Sequence, residues 1–216
     1  MQLETGSTVS QQSTQQEPPI KPGLLFVLSA PSGTGKDTVI NQLKEQGSDI
    51  FVVPSVTTRP PRPGESEGHP YYFLSESEFE ELDQQGELLE SAYVHGNRYG
   101  QPRKPIRDNL RAGRDVLLKI DVQGAQTIRQ KVPEAIFIFI TPGSIEDLAQ
   151  RLNDRQTETP AEQERRLHDA KNELANRHWY DYTIENRQWR VQTAVEHLRA
   201  IIVAEHCRTT PRHIDI

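Results

Sequence analysis

The sequence predicts an α/β fold with a parallel sheet, and three observations predict it. Apolar runs and amphipathic stretches alternate along most of the chain, the strand–helix–strand order of a parallel sheet with covering helices. The first apolar run, Leu24 to Leu28, stops abruptly at a small-residue loop, Ser29-Ala30-Pro31-Ser32-Gly33-Thr34-Gly35, followed by Lys36 and an amphipathic segment. Residues 55–100 break the alternation with mixed, proline-rich strands, which reads as a lobe inserted into the sheet domain.

Leu24–Ser29 is the first strand. The glycines after it let the chain turn tightly, so that backbone N–H groups and the dipole of the next helix converge on one point, with Lys36 adding a full positive charge. This is the logic of a phosphate loop, GxxxxGK[ST]. Ala30 stands where the first glycine is expected, and Asp37 stands where Ser or Thr should follow the lysine. Val39, Ile40 and Leu43 face the core from the following helix, which Gly47 closes. Ile50–Val53 is a second strand.

The segment Ser55 to Glu65 is polar, stiffened by Pro60, Pro61 and Pro63, and carries Arg59 and Arg62. It cannot be helical. His69–Leu74 reads as an edge strand. Ser75-Glu76-Ser77-Glu78 is a capping box that opens a helix with Phe79 and Leu82 inward, closed by Gly86. Leu88–Val94 is a strand, and His95 to Gly100 reads as a glycine turn. Pro102–Ala112 is a helix with Ile106 and Leu110 inward. Asp115–Asp121 is a strand whose near-continuous apolar run suits a sheet buried on both faces. Helix 122–131, strand 135–140, a helix capped by Ser144 with Leu148 and Leu152 inward, and a helix opened by Thr159-Pro160-Ala161-Glu162 follow. Tyr180–Glu185 is the last strand, and Val191 to Ile202 the last amphipathic helix. Residues 1–20, rich in Gln, Ser and Thr without Lys or Arg, cannot bury enough apolar area to offset their ordering entropy and read as a disordered tail.

Composition narrows the function classes. The 216 residues carry a formal net charge of −6, which does not support bulk attraction to nucleic acid or to an acidic membrane. A single cysteine, Cys207, excludes an internal disulfide and a cysteine-rich metal site and fits a reducing, cytoplasmic setting. No apolar run is long enough to span a bilayer, and no signal-peptide pattern opens the chain. Nine acids and no Lys or Arg fall in 65–90, and seven Lys/Arg against two acids in 98–119, most of them solvated faces. His69, His95 and His178 have no metal-ligand spacing.

From Gly23 to about Arg208 the chain resembles the guanylate kinases. The resemblance rests on Ser29 to Lys36, Ser55 to Glu65, Tyr71-Tyr72-Phe73, Glu90, Gly96-Asn97-Arg98-Tyr99-Gly100, Ile120-Asp121-Val122-Gln123-Gly124-Ala125 and Tyr180 to Asn186, in that order. It implies an α/β, P-loop NTPase-type parallel core (21–54, 106–149 and 168–208), an inserted mixed-β GMP-binding lobe (55–105) and a small helical lid (150–167). It implies transfer of the ATP γ-phosphoryl to GMP or dGMP, giving ADP and GDP, with Mg²⁺ accompanying ATP, in a monomer or homodimer.

The residues support that chemistry independently. Phosphoryl transfer needs positioning and charge neutralisation, and a phosphate acceptor needs no strong base. Ala30, Pro31, Ser32, Gly33, Thr34, Gly35, Lys36, Asp37 and Thr38 form the expected ATP-binding segment, and the resemblance adds Asn186 near the adenine. Arg59 and Arg62 can pair bidentately with a phosphate; the resemblance adds the hydroxyls of Tyr71 and Tyr99. Glu90, a carboxylate in an apolar strand, matches the N1–H and N2–H₂ edge of guanine, which adenine lacks, so the wrong base leaves it unpaired. Ser55 and Gln101 are expected on the base, and the resemblance implies that Asp121 faces the guanine and phosphate region. Lys36 is an expected catalytic cation, and the resemblance adds Arg151, Arg155 and Arg166 as lid arginines that close onto the transferring group. Asp37 or Asp121 could approach the metal through water. Gln101, Lys119 and Gln156 depart from the family pattern, where Ser or Thr, Asp or Glu, and Gly are usual. Gly35-Lys36-Asp37 is also similar to the ribose 1,5-bisphosphate phosphokinases, and a catalytically inactive phosphoprotein-binding module is a further alternative; Ser55, Arg62, Tyr71 and Glu90 oppose the first, Lys36 and the lid arginines the second.

Overall fold

The computed structural model describes residues 22–94, 96–153 and 160–216, and the side chains of these apart from 152, 153 and 160–163. The tail 1–20, His95, Arg155, Gln156 and the capping residue Thr159 lie outside the described residues.

Among the described residues, two five-stranded sheets carry the fold. In the first, β1 (Leu25–Ser29) lies between β8 (Val116–Lys119) and β9 (Ile136–Pro142), with β2 (Phe51–Val52) outside β8 and β10 (Tyr182–Asn186) outside β9. Every pairing is parallel. All residues of β1 and β9 are buried, which is why they read as continuous apolar runs rather than alternating ones.

The pleat divides those residues between two cores. Leu25, Val27, Leu118, Phe137 and Phe139 face α3 (Arg103–Arg111) and α4 (Val122–Lys131), packing with Ile106, Leu110, Ala125 and Ile128. Phe26, Leu28, Leu117, Ile138 and Ile140 face α1 (Lys36–Glu45) and α7 (Val191–His206), packing with Val39, Ile40, Leu43, Ala194, Val195 and Leu198. The chain's end is tied to this domain: Glu205, 2% exposed, accepts from Arg212 Nε at 2.9 Å and from the Tyr182 hydroxyl at 2.6 Å, and Ile214 and Ile216 pack on the first core.

The second sheet runs β4 (Ser66–Glu67), β5 (Pro70–Phe73), β3 (Ser55–Thr57), β7 (Asn97–Pro102), β6 (Leu88–Val94). It is mixed, β3 pairing parallel to β5 and antiparallel to β7. Its own core is Val56, Leu88 and Phe79, the last from α2 (Glu76–Gln84), whose Ser75–Glu78 capping box forms as expected. Three sequence expectations are corrected here. Asn97 to Gly100 belongs to strand β7, because β3 and β6 pair with it from both sides. The strand at 70–73 is second from the edge, with the two-residue β4 outside it. The last strand begins at Tyr182, since residues 176–179 form a turn of 3₁₀ helix. Helices α5 (Ile145–Asn153) and α6 (Pro160–Ala175) pack through Leu148 and Ala170. Among the described residues no helix is long and apolar enough to cross a membrane.

Candidate active site

The loop after β1 adopts a conformation that its glycines make possible. Gly33 and Gly35 have φ of 87° and 89°, the left-handed region that side chains disfavour. Gly35 is the N-cap of α1 and provides no side-chain cap, so the first N–H groups of that helix remain open to a ligand. Lys36 opens the helix and its ammonium donates to the Ile120 carbonyl at 3.3 Å. Burial, and then the charge of Lys119, hold its pKa below the ordinary lysine value.

Behind the loop, Thr34 is fully buried and its carbonyl accepts from Asn186 Nδ2 at 2.7 Å and Arg151 Nη1 at 2.9 Å. Arg151 Nη2 also donates to the Asn186 carbonyl at 2.9 Å. A Cβ on Gly35 would come within 2.7 Å of Asn186 Nδ2. Thr34, Asn186 and Arg151 thus brace the loop from outside rather than line its ligand face. Arg166 of α6 reaches the loop, with Nη1 3.5 Å from Ser32 Oγ.

Across the cavity, Glu90 of β6 is 3% exposed. Burial, and then the charge of Asp121, raise its pKa to about 8. Room for the carboxylate comes from Gly124 on α4: a Cβ there would fall 2.7 Å from Glu90 Oε1. Asp121 lies beyond β8, not within it, as the N-cap of α4, with Oδ1 accepting from the Gly124 N–H at 2.8 Å. Gln101 is 1% exposed; its Nε2 donates to Ser55 Oγ at 2.6 Å and its Oε1 is buried without a partner.

The two arginines of the proline-rich segment differ. Arg59 Nη2 donates to both Glu65 carboxylate oxygens at 2.9 Å, and its guanidinium lies over Tyr71 at 5.3 Å from the ring centroid. Arg62 lines the cavity. The sequence treats them as equivalent; Glu65 separates them by occupying one.

One cavity of about 410 Å³ brings both halves together. It is lined by Ala30, Pro31, Ser32, Gly33, Gly35, Lys36, Asp37 and Thr38 on the loop side, and by Ser55, Arg62, Tyr71, Glu90, Tyr99, Gln101 and Asp121 on the other, with Arg166 above. Of the described residues expected at the site, Thr34, Asn186, Arg151 and Arg59 stand behind this wall. Lys119, singled out in the sequence only as a departure, also lines the cavity, as do Ala92, Asp169 and Glu173, which sequence reasoning missed. Asp169 and Glu173 lie three and seven residues after Arg166 on α6, so helical spacing alone would have found them. Glu173 is raised to about 7 by burial, with Lys36 pulling the other way.

Comparison with known proteins agrees with this geometry. The guanylate kinase family model matches residues 23–205. A guanylate kinase of Thermobifida fusca is 45% identical over 184 residues, covering 85% of this chain and 93% of that protein. One from Dechloromonas aromatica is 47% identical over 182 residues, covering 84% and 89%. The crystal structure of guanylate kinase from Anaplasma phagocytophilum superposes with a TM-score of 0.71 at 37% identity, covering 88% of this chain and 89% of that one. The chain belongs to the guanylate kinase family.

Within this guanylate kinase fold, two departures noted in the sequence are one feature. Lys119 Nζ lies 2.7 Å from Asp37 Oδ1, although 82 positions separate the residues. An acid beside the phosphate loop is therefore balanced by a lysine where a carboxylate was expected. Among the described residues no group of three or more His, Cys, Asp or Glu stands together as a metal site. Magnesium typically uses one or two carboxylates with phosphate oxygens and waters. Asp37 and Asp121, two of the carboxylates at the cavity wall, fit an ion that arrives with nucleotide phosphates.

Proposed function

We propose that the chain transfers the γ-phosphoryl group of ATP to GMP or dGMP, giving ADP and GDP, as its family name implies. The observation that carries this reading is the sharing of one cavity by the phosphate loop and a buried carboxylate suited to guanine. We assign the core to 21–54, 106–149 and 168–208, the acceptor lobe to 55–105 and the lid to 150–167, with the reaction in the cytoplasm.

In this reading the open N–H groups of the loop and α1 hold the donor phosphates, with Lys36 beside the β- and γ-groups. Arg62, Tyr71 and Tyr99 hold the acceptor phosphate, and Arg59 keeps Tyr71 in place by lying over its ring. Glu90 accepts from guanine N1–H and N2–H₂, with Ser55 and Gln101 on the same base. An acceptor phosphate oxygen attacks the γ-phosphorus while the bond to the bridging oxygen of ADP breaks, in line. Arg166, with Arg155 of the lid, offsets charge on the transferring group, and Arg151 fixes the loop through Thr34. Magnesium, when bound, would supply charge neutralisation at the donor phosphates, and Asp37 or Asp121 would hold it through water.

The test is ADP formation from ATP with each candidate acceptor. Turnover is expected with GMP and dGMP and near background with AMP. Equal turnover with AMP, or turnover only with ribose 1,5-bisphosphate, overturns the assignment.

A further inference from the structure

Lys119 lines the cavity but has no part in the substrate contacts assigned above. It ends β8 level with Leu28 of β1, so the parallel register fixes its backbone at the carboxyl end of the strands, where ligands gather in such sheets. Its ammonium is 2.7 Å from Asp37 on the donor side and 5.7 Å from the Tyr71 ring centroid on the acceptor side. It stands at the seam between the two subsites.

The ion pair is lopsided. The Lys119 side chain is 16% exposed and the Asp37 side chain 71%. An exposed carboxylate leaves such a pair at small cost, because water replaces its partner. A largely buried ammonium has no such exit and needs an anion where it stands. Lys36 opens onto the same cavity, and Lys119 acts on it as a like charge. With Lys36 assigned to the donor phosphates, a second ammonium on the same cavity wall provides for a second anion. Arg62, Tyr71 and Tyr99 on the adjoining wall point to the acceptor phosphate as that anion.

We propose that Lys119 binds the phosphate of the acceptor nucleotide, and that Asp37 holds its ammonium in position until that phosphate takes over. The proposal rests on GMP being the acceptor. Calorimetric titration of the full chain with GMP and with guanosine, without ATP, tests it in the parent protein, Lys119→Met, Lys119→Arg and Asp37→Asn. Lys119→Met is expected to lose about tenfold or more in GMP affinity, the effect of one charge-assisted hydrogen bond, with guanosine affinity unchanged. Lys119→Arg retains the cation and stays within about fivefold for GMP. Asp37→Asn binds GMP about two- to tenfold tighter, because the carboxylate no longer competes with phosphate. Unchanged GMP affinity in Lys119→Met, equal weakening of GMP and guanosine, or weaker GMP binding in Asp37→Asn overturns the proposal. Should thermal melting show Lys119→Met unfolded, the Arg and Asn variants decide it on the same terms. A parent protein that binds neither GMP nor guanosine overturns the acceptor assignment itself, an outcome distinct from a parent that binds both while the variants change nothing.

Discussion

Glu90 is buried on β6 beside Gly124 and Asp121, and its surroundings set its charge. With a pKa raised to about 8, the carboxyl is mostly protonated in the empty site at about pH 7. Guanine offers donors at N1 and N2, so the complex needs the carboxylate. Guanosine and GMP binding at about pH 7 should therefore release close to one proton from this group, falling toward none above about pH 9. Calorimetry in two buffers of different ionisation enthalpy measures this, and guanosine removes the phosphate's own titration from the result. A binding heat independent of buffer would mean that Glu90 does not change protonation. The same shift acts on stability. A folded pKa above the unfolded value favours the protonated native state, so this residue's contribution declines as pH rises from about 4.5 to about 8. That Glu90 faces the site was legible from one acid in an apolar strand. The difference in partners between Arg59 and Arg62 was not, because only the fold shows which guanidinium Glu65 engages.

At the scale of elements, α4 is the scaffold behind the acceptor wall. Its N-cap Asp121 accepts from Gly124, and the missing side chain of Gly124 leaves space for Glu90. Gly124→Ala sets two effects against each other. Alanine favours the helix interior by about 1 kcal/mol. Its Cβ would lie 2.7 Å from Glu90 Oε1, the movable end of a side chain, so the backbone is not forced apart. The melting temperature should change by only a few degrees (roughly ±1 kcal/mol), while GMP affinity falls about tenfold as the carboxylate is displaced. The ATP KM should not move, and unchanged GMP affinity would mean that Glu90 can turn aside without leaving the base. The Ile120–Ala125 motif was legible as a motif, but the purpose of its glycine was not, since the neighbour it accommodates comes from another element. Strand β7 was hidden for a related reason: Asn97 to Gly100 has turn composition, and only its partners in β3 and β6 make it a strand. The Asp37–Lys119 pair read as two separate irregularities for the same reason.

Across the whole molecule, the two sheets meet at the cavity, where Leu89 of β6 packs in the first core, but donor and acceptor side chains hang from different sheets, so the two functions should separate by mutation. The loop and Lys36 hang from the parallel sheet, whose cores lie on both its faces. Ser55, Glu90 and Gln101 hang from the mixed sheet, stabilised by Val56, Phe79 and Leu88. Lys36 touches the parallel sheet through the Ile120 carbonyl, and its ammonium is already held below its ordinary pKa by burial and Lys119. Removing it relieves a desolvated charge near Lys119 and leaves the acceptor lobe's hydrogen bonds intact. Lys36→Ala should therefore fold with a melting temperature near that of the parent and bind GMP within about threefold, or slightly tighter if Lys119 engages the phosphate more fully. Turnover should fall by about a thousandfold or more, since a preorganised cation at the transferring group is lost and water cannot replace it. The pair of measurements is decisive. Lost GMP binding would show that the acceptor lobe depends on the donor loop for its shape, and retained turnover would move the donor phosphates away from the loop after β1.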